Sequence, residues 1–448
     1  PSMQLGRRAS KKYSDPNSWH NRFYSLVTTK IDEEIFKPLF PEGKKSGRPN
    51  ASIRILVAMS VLKEGFGCSD EDLFEKCEFD LLTRKALGME LLTDVTPSID
   101  TYYLFRRRIC EYQERTGIDL MQLCFEQLAG KHVHLLKISG KCVRMDSKLI
   151  GSNIARQSRY ELIHTTLVKF LKTCTLTHLS PEQEERAKEY LKEDSSKTVY
   201  RSDSDTLQSN LARIGNFIME MLATFPATSP AHDLLQRLFD EQYAVKDGKA
   251  VLRDKKEVKA DSLQNPNDPD ATYRAKNDQK VQGYVTNITE TVEEGKPNII
   301  TSVQVETAVF ADCHFLQEAV ENSERVTDST IEDLYADGAY QSPDNREFAK
   351  NHNAMQLKTG KMQGGCRWEL IPHDEDGLTI REIATGNTYE AVKAVTMQGS
   401  RKRWRIPWNN KTGWRYFEDK DIKAYQLRKQ IESLPLEEQH KRNNVEAA

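Results

Sequence analysis

The chain has 448 residues, 38% of them hydrophobic and 29% charged, and a formal net charge of -2 at pH 7. That length leaves room for roughly two or three domains with separate cores, and the near-neutral total leaves a polyanionic partner open because Lys and Arg cluster locally. Eight cysteines without a Cys-x-x-Cys pair argue against a disulfide framework or a zinc site. No apolar run approaches the ~18 residues of a bilayer crossing and the N-terminus is not signal-like, so a cytoplasmic protein without a membrane partner is expected.

Pro1-Ser2 ahead of Met3 reads as a cloning remnant, and residues 1–20 read as a polar, basic arm. Residues 19–136 are helical by period: Ile53, Leu56, Val57, Met59 and Leu62 recur at steps of three and four, as do Leu120, Leu123 and Leu128. Gly65-Phe66-Gly67-Cys68-Ser69-Asp70 and Thr96-Pro97-Ser98-Ile99-Asp100 supply a break followed by a helix cap. Short helices followed by Arg106-Arg107-Arg108 suit a small DNA-binding bundle; a packing domain with a solvated basic face fits the same pattern. His132 and His134 read as structural residues alternating on a strand.

Lys141-Cys142-Val143-Arg144-Met145-Asp146-Ser147-Lys148 follows. At period two it sets Val143 and Met145 against Arg144 and Asp146, an apolar-backed strand that ends on a carboxylate. Residues 155–245 are helical again, with stripes at Leu162, Ile163, Leu167, Phe170, Leu171 and at Ile214, Phe217, Ile218, Met221, Leu222. The polar loop Gln264-Asn265-Pro266-Asn267-Asp268-Pro269-Asp270 leads to a hairpin of strands 280–291 and 298–307. A helix bearing Phe315, Leu316, Ala319 and Val320 precedes a strand over 333–336 that delivers Asp337 into a glycine turn. A helix over 345–352 and a strand over 354–357 come next. Residues 358–417 change texture to short strands, 367–371, 378–383, 388–395 and 404–408, and residues 420–448 are helical with a break at Pro435.

This order predicts an α/β fold, a mixed sheet flanked by helices, in which Asp146, Asp337 and Glu446 converge at one edge. Three hard oxygen ligands suit Mg²⁺ or Mn²⁺, and two such ions about 3.5–4 Å apart support an in-line displacement at phosphorus. Three acids among the 67 in the chain are no signal by themselves. Their surroundings carry the weight: Val143 to Asn153 around the first Asp, Asp268-Pro269-Asp270-Ala271-Thr272-Tyr273-Arg274-Ala275-Lys276, Tyr335-Ala336-Asp337-Gly338-Ala339-Tyr340, and Arg442-Asn443-Asn444-Val445-Glu446.

Together, and in this order, these motifs resemble the DDE transposases of bacterial insertion sequences. Gly47-Arg48-Pro49 and the stretch from Thr101 to Arg108 look like the helical domain that precedes the catalytic core in that group. The resemblance covers nearly the whole chain. It implies an RNase H-like core with a β-strand insertion, with Asp146, Asp337 and Glu446 as catalytic acids and ligands of two Mg²⁺ or Mn²⁺ ions. The implied division is a DNA-binding helical domain over 1–136, a core over 137–357 and 418–448 with a helical insert at 155–260, and a β-rich insertion over 358–417. The family also shows a Tyr, Arg, Glu, Lys signature around the last acid; Arg442 fits it, but Gln439 stands at the Tyr position and the Lys position falls past Ala448. Glu446 so near the end reads as a chain whose natural tail is missing.

Lys148 after the first acid, and Tyr273, Arg274 and Lys276 on the loop entering the hairpin, are expected to meet DNA phosphates, which positions DNA without reading its sequence. Arg401, Arg403, Trp404 and Arg405 interleave bases with indoles, which suits phosphate contact plus base stacking, and a Trp of this insertion (404, 408, 414 or 368) is a candidate for holding a flipped base. Buried Trp in a small β layer is an equal alternative. The expected activity is cleavage of transposon ends and joining of their 3′ ends to target DNA, with double-stranded DNA as partner and a homodimer in the complex to match inverted ends. A bacterial, nucleoid-associated location follows. The rival is a derivative that grips DNA without cutting it.

Overall fold

The computed structural model describes all residues except 1–4, 41–50, 92, 227–228, 277–278, 361–366, 374–376, 395–401, 409–412 and 438–448. It is a mixed α/β structure with a helical N-terminus. The N-terminal helices are α1 (Arg7–Tyr13), α2 (Trp19–Leu26), α3 (Ile53–Phe66), α4 (Asp70–Phe79), α5 (Leu81–Leu87), α6 (Ile99–Thr116) and α7 (Leu120–Leu136). Their limits are chemical. Ser52, Ser69 and Ser98 cap α3, α4 and α6, and Gly67 and Gly117, both at positive φ, end α3 and α6. Leu56, Met59, Leu62, Leu73, Tyr102 and Phe105 meet in one core. His132 and His134 lie on α7, not on a strand; the ring Nε2 of His132 is 2.8 Å from the Leu26 carbonyl oxygen. Period-two spacing over so short a run is also compatible with a helix, and the flanking Leu and Val residues decide for it.

The main sheet contains β1 (Cys142–Gly151), β4 (Thr272–Lys276), β5 (Gln279–Thr291), β6 (Ile300–Thr307), β7 (Asp333–Asp337) and β8 (Gln356–Gly360). Strand order is β4-β5-β1-β7-β8, with β6 also on β5. Strand β5 is antiparallel to β1, β4 and β6, whereas β7 runs parallel to β1 and β8 parallel to β7. One sheet face packs Val143, Met145, Val285, Leu334 and Ala336 against α13 (Leu316–Thr327) and Ala349 of α14 (Pro343–Asn351). Entry into β1 is tight: Gly140 has φ +71°, and a Cβ there would stand 2.5 Å from Thr327 Cβ at the end of α13. Helix α7 leans on α13 and β6, and Arg325 reaches back to Glu126 of α7 at 2.8 Å.

Between β1 and β4 lie α8 (Arg159–Leu171), α9 (Pro181–Lys192), α10 (Ser195–Arg201), α11 (Ser204–Thr224) and α12 (Pro230–Gln242), with a core of their own that includes Ile163, Leu167, Ile214, Phe217, Ile218 and Leu235. A small hairpin, β2 (Tyr243–Lys246) and β3 (Lys249–Leu252), closes this segment where helix was expected to continue to 245. Asp247 and Gly248, both at positive φ, form its turn. Later come β9 (Trp368–His373), β10 (Gly377–Glu382), β11 (Thr388–Ala394), β12 (Arg403–Trp408) and β13 (Gly413–Glu418), one antiparallel sheet in order β13-β12-β11-β10-β9. Helix α15 (Asp419–Glu432) then packs on β8, β9 and β13.

Candidate active site

Strands β1 and β7 pair in parallel register, Cys142 with Asp333, Val143 with Leu334 and Arg144 with Tyr335. Two residues further along both strands stand Asp146 and Asp337. Neighbouring strands lie about 4.8 Å apart, and residues level in a parallel pair face the same side. Continued two residues beyond its last pair, that register would bring the two acids level on the sheet face opposite Val143, Met145, Leu334 and Ala336; both are half-buried. Asp337 ends its strand, at the carboxyl end of the parallel pair, where open α/β sheets offer a crevice. Its Oδ1 accepts from the Ala339 amide at 2.5 Å, and Asp146 Oδ1 accepts from the Ser147 amide at 2.9 Å.

The same face is otherwise secured by ion pairs. Arg144, buried, pairs with Glu290 of β5, also buried. Lys358 of β8 lies 3.0 Å from an Asp333 oxygen and donates to the Tyr335 hydroxyl at 3.1 Å. Burial opposes its charge, but the hydrogen bonds to Tyr335 and Asp333 outweigh that and raise its pKa. Lys358 escaped the sequence reading, although a cation in the middle of a short strand beside the second acid is a usable sign. Among the described residues no group of three or more His, Cys, Asp or Glu side chains is arranged to hold a metal ion. Glu446 and Arg442, like Gln439 and Arg401, lie outside the described residues.

Lys148 is exposed two residues beyond Asp146, on the same face of β1. Tyr273, Arg274 and Lys276 belong to β4 rather than to a loop, since Thr272 to Lys276 pair in register with β5. The preceding Asp-Pro-Asp run and the polar composition hid this strand. Arg274 is turned inward: its Nη1 donates to the carbonyls of Ala308 and Phe310 and, at 3.2 Å, to buried Asp312. In α6, Arg106 and Arg107 are exposed, while Arg108 is half-buried with its guanidinium 5.3 Å from the centre of the Phe40 ring.

In the second sheet, alternation sends Trp404 and Ile406 inward, where they pack with Trp368, Leu370 and Phe417. Trp404, 3% exposed, is core rather than a stacking platform. The outward face carries Arg403 4.0 Å from the Tyr416 ring centre and Arg405 4.2 Å from that of Trp414. Trp414 is 48% and Tyr416 42% exposed. The base-and-ring pattern is thus real, but its rings come from β13 across the strand pair. That strand was not separated from its neighbours in the sequence.

Residues 11–108 match the family described as Transposase domain (DUF772). The matched part is similar to a domain of transposases; it runs from the end of α1 to Arg106, Arg107 and Arg108 within α6 and stops short of β1. No curated protein and no solved structure matches the chain. Among the described residues no helix is long and apolar enough to cross a membrane.

Proposed function

We propose that the protein is a DNA transposase of the DDE type, which binds transposon ends, cleaves the strands and joins the freed 3′ ends to target DNA. The observation that carries this reading is the parallel β1/β7 pairing, which ends two residues before Asp146 and Asp337, in a chain whose residues 11–108 resemble a transposase domain. Supporting an RNase H-like core over 137–357 and 418–448 is the mixed sheet with β1 at its centre and helices packed on it. Helix α15 brings the chain back onto β8, one strand from Asp337, on the way to Glu446.

The donor set fits Mg²⁺ or Mn²⁺: neighbouring carboxylates, half open to solvent, with Glu446 as the third. When bound, two such ions activate the attacking oxygen and stabilise the leaving one. The chain's own residues supply position and charge. The Ser147 and Ala339 amides orient the two acids, and exposed Lys148 neutralises a phosphate oxygen beside them. Arg106 and Arg107, with Arg108 at their edge, contact the backbone of double-stranded DNA from the 1–136 region. Tyr273 and Lys276 of β4, a strand paired with the far half of β5, and Arg442 and Arg401 are further candidates for phosphate contact, while Arg403 and Arg405 with Tyr416 and Trp414 give the 358–417 insertion a face for an unpaired base. Two copies would hold the inverted ends about a two-fold axis.

The test is incubation of the full chain with Mn²⁺ and linear DNA bearing the inverted repeats that flank its coding sequence. Cleavage by the parent and none by Asp146→Ala is expected. Salt-dependent binding with no cleavage by either would favour the derivative that grips DNA without cutting it.

A further inference from the structure

Across the sheet from the two acids lies a polar network that runs from buried Tyr340 and Asn287 through Gln304 to exposed Glu318. The Tyr340 hydroxyl donates to Asn287 Oδ1 at 2.6 Å, and both residues are 0% exposed. Asn287 Nδ2 donates to Gln304 Oε1 at 2.9 Å, and Gln304 Nε2 to Glu318 Oε2 at 3.1 Å. Ser147, level with Asn287 in the β1/β5 ladder, also interacts with the Tyr340 hydroxyl. Burial first, and then the charges of Asp146, Asp312 and Asp337, push the Tyr340 pKa up, so the phenol stays protonated and donating.

The place of this bond is what matters. Paired register between β1 and β7 ends at Arg144 and Tyr335, two residues short of the acids. Beyond that point β1 continues against β5, with Ser147 level with Asn287, while the chain after Asp337 enters the turn Gly338–Tyr340. Asp337 takes its orientation from that turn through the Ala339 amide. Tyr340 closes the turn, and Asn345 pins it from the other side by donating to the Tyr340 carbonyl at 2.8 Å and to that of Cys313 at 2.7 Å. Tyr340 and Asn287 thus tie the Asp337 turn to β5, the strand that carries β1 and Asp146 through its own ladder, beyond the last β1/β7 pair. A polar pair in a core costs stability unless it is satisfied, and when satisfied it admits one geometry.

We propose that Tyr340, through its hydroxyl bond to Asn287, is a positioning residue that holds Asp337 at the spacing from Asp146 needed to share a divalent cation. This rests on the reading of those acids as metal ligands. Partners one shell out from metal ligands typically change affinity by about 10- to 100-fold when removed.

The experiment is Mn²⁺ titration of the full chain followed by electron paramagnetic resonance, with DNA binding and thermal unfolding in EDTA measured alongside. Tyr340→Phe keeps the ring and is expected to weaken Mn²⁺ binding about tenfold while leaving DNA binding in EDTA unchanged. Ser147→Ala, a milder change should Tyr340→Phe fold poorly, is expected to shift Mn²⁺ affinity the same way by a smaller factor. Folded Tyr340→Phe that binds Mn²⁺ as tightly as the parent overturns the proposal and leaves the site reading standing, as does an unchanged Ser147→Ala if Tyr340→Phe does not fold. Saturable Mn²⁺ binding that survives Asp146→Asn with Asp337→Asn, or is missing in the parent, overturns the site reading and the proposal with it.

Discussion

Two cations near the acids separate support from contact. Arg274 holds buried Asp312 and two loop carbonyls, so Arg274→Ala leaves a carboxylate without its partner and is expected to cost about 2–3 kcal/mol in urea unfolding. Lys148→Ala removes an exposed side chain and should stay within about 0.5 kcal/mol of the parent, while weakening DNA affinity and its salt dependence. Equal stability losses in both variants would contradict this division. His164 gives a pH prediction. Its ring is buried, with Nε2 3.1 Å from the Tyr190 carbonyl oxygen, and burial outweighs the nearby Glu193 carboxylate to press its pKa below 6.5. The unfolded chain therefore takes up this proton at higher pH than the folded one. Stability from the neutral ring is complete above 6.5 and is lost as pH falls from there toward the depressed folded value. Unfolding midpoints between pH 7 and pH 5 should show this decline, and His164→Gln should flatten it. Asp146 stood out in the sequence as an acid ending an apolar-backed strand, but β1 runs on past it to Gly151 because β5 pairs with it as far as Gly283. The inward turn of Arg274 was not legible, because its partner, Asp312, lies 38 residues away, and neither was the bond from Tyr340 to Asn287, 53 residues apart.

At the scale of elements, alternation and helical period located the long strands and helices, and they failed where backbone pairing overrides composition. Strand β4 is polar and follows a Pro-Asp run, yet the facing half of β5 recruits it. The β2/β3 hairpin hides behind helical residues because its turn depends on two positive-φ positions. In the second sheet the inward and outward faces make different predictions. Trp404→Ala empties a core shared with Trp368, Ile406 and Phe417 and should cost about 3–5 kcal/mol in denaturant unfolding. Trp414→Ala should stay within about 0.5 kcal/mol and weaken binding of single-stranded DNA, as befits an exposed ring under Arg405. The opposite ranking would mean that the sheet uses its other face.

For the whole molecule, the N-terminal helices and the sheet are joined through α7, which packs on α13 and β6 and is tied by Arg325 to Glu126. The proposed DNA grip by α6 and the proposed chemistry at the end of β7 would then belong to one body of protein. Arg106→Ala and Arg107→Ala should each lower the slope of log affinity against log salt by about 1 without changing sequence preference. An unchanged slope in both would remove α6 from the DNA interface. The central claim is that residues 191 positions apart along the chain, Asp146 and Asp337, share a divalent cation. Anomalous diffraction from crystals of the protein grown with Mn²⁺ tests it most directly: the account predicts a peak about 2.1 Å from a carboxylate oxygen of each, and Mn²⁺ held by only one of them, or elsewhere, would contradict it.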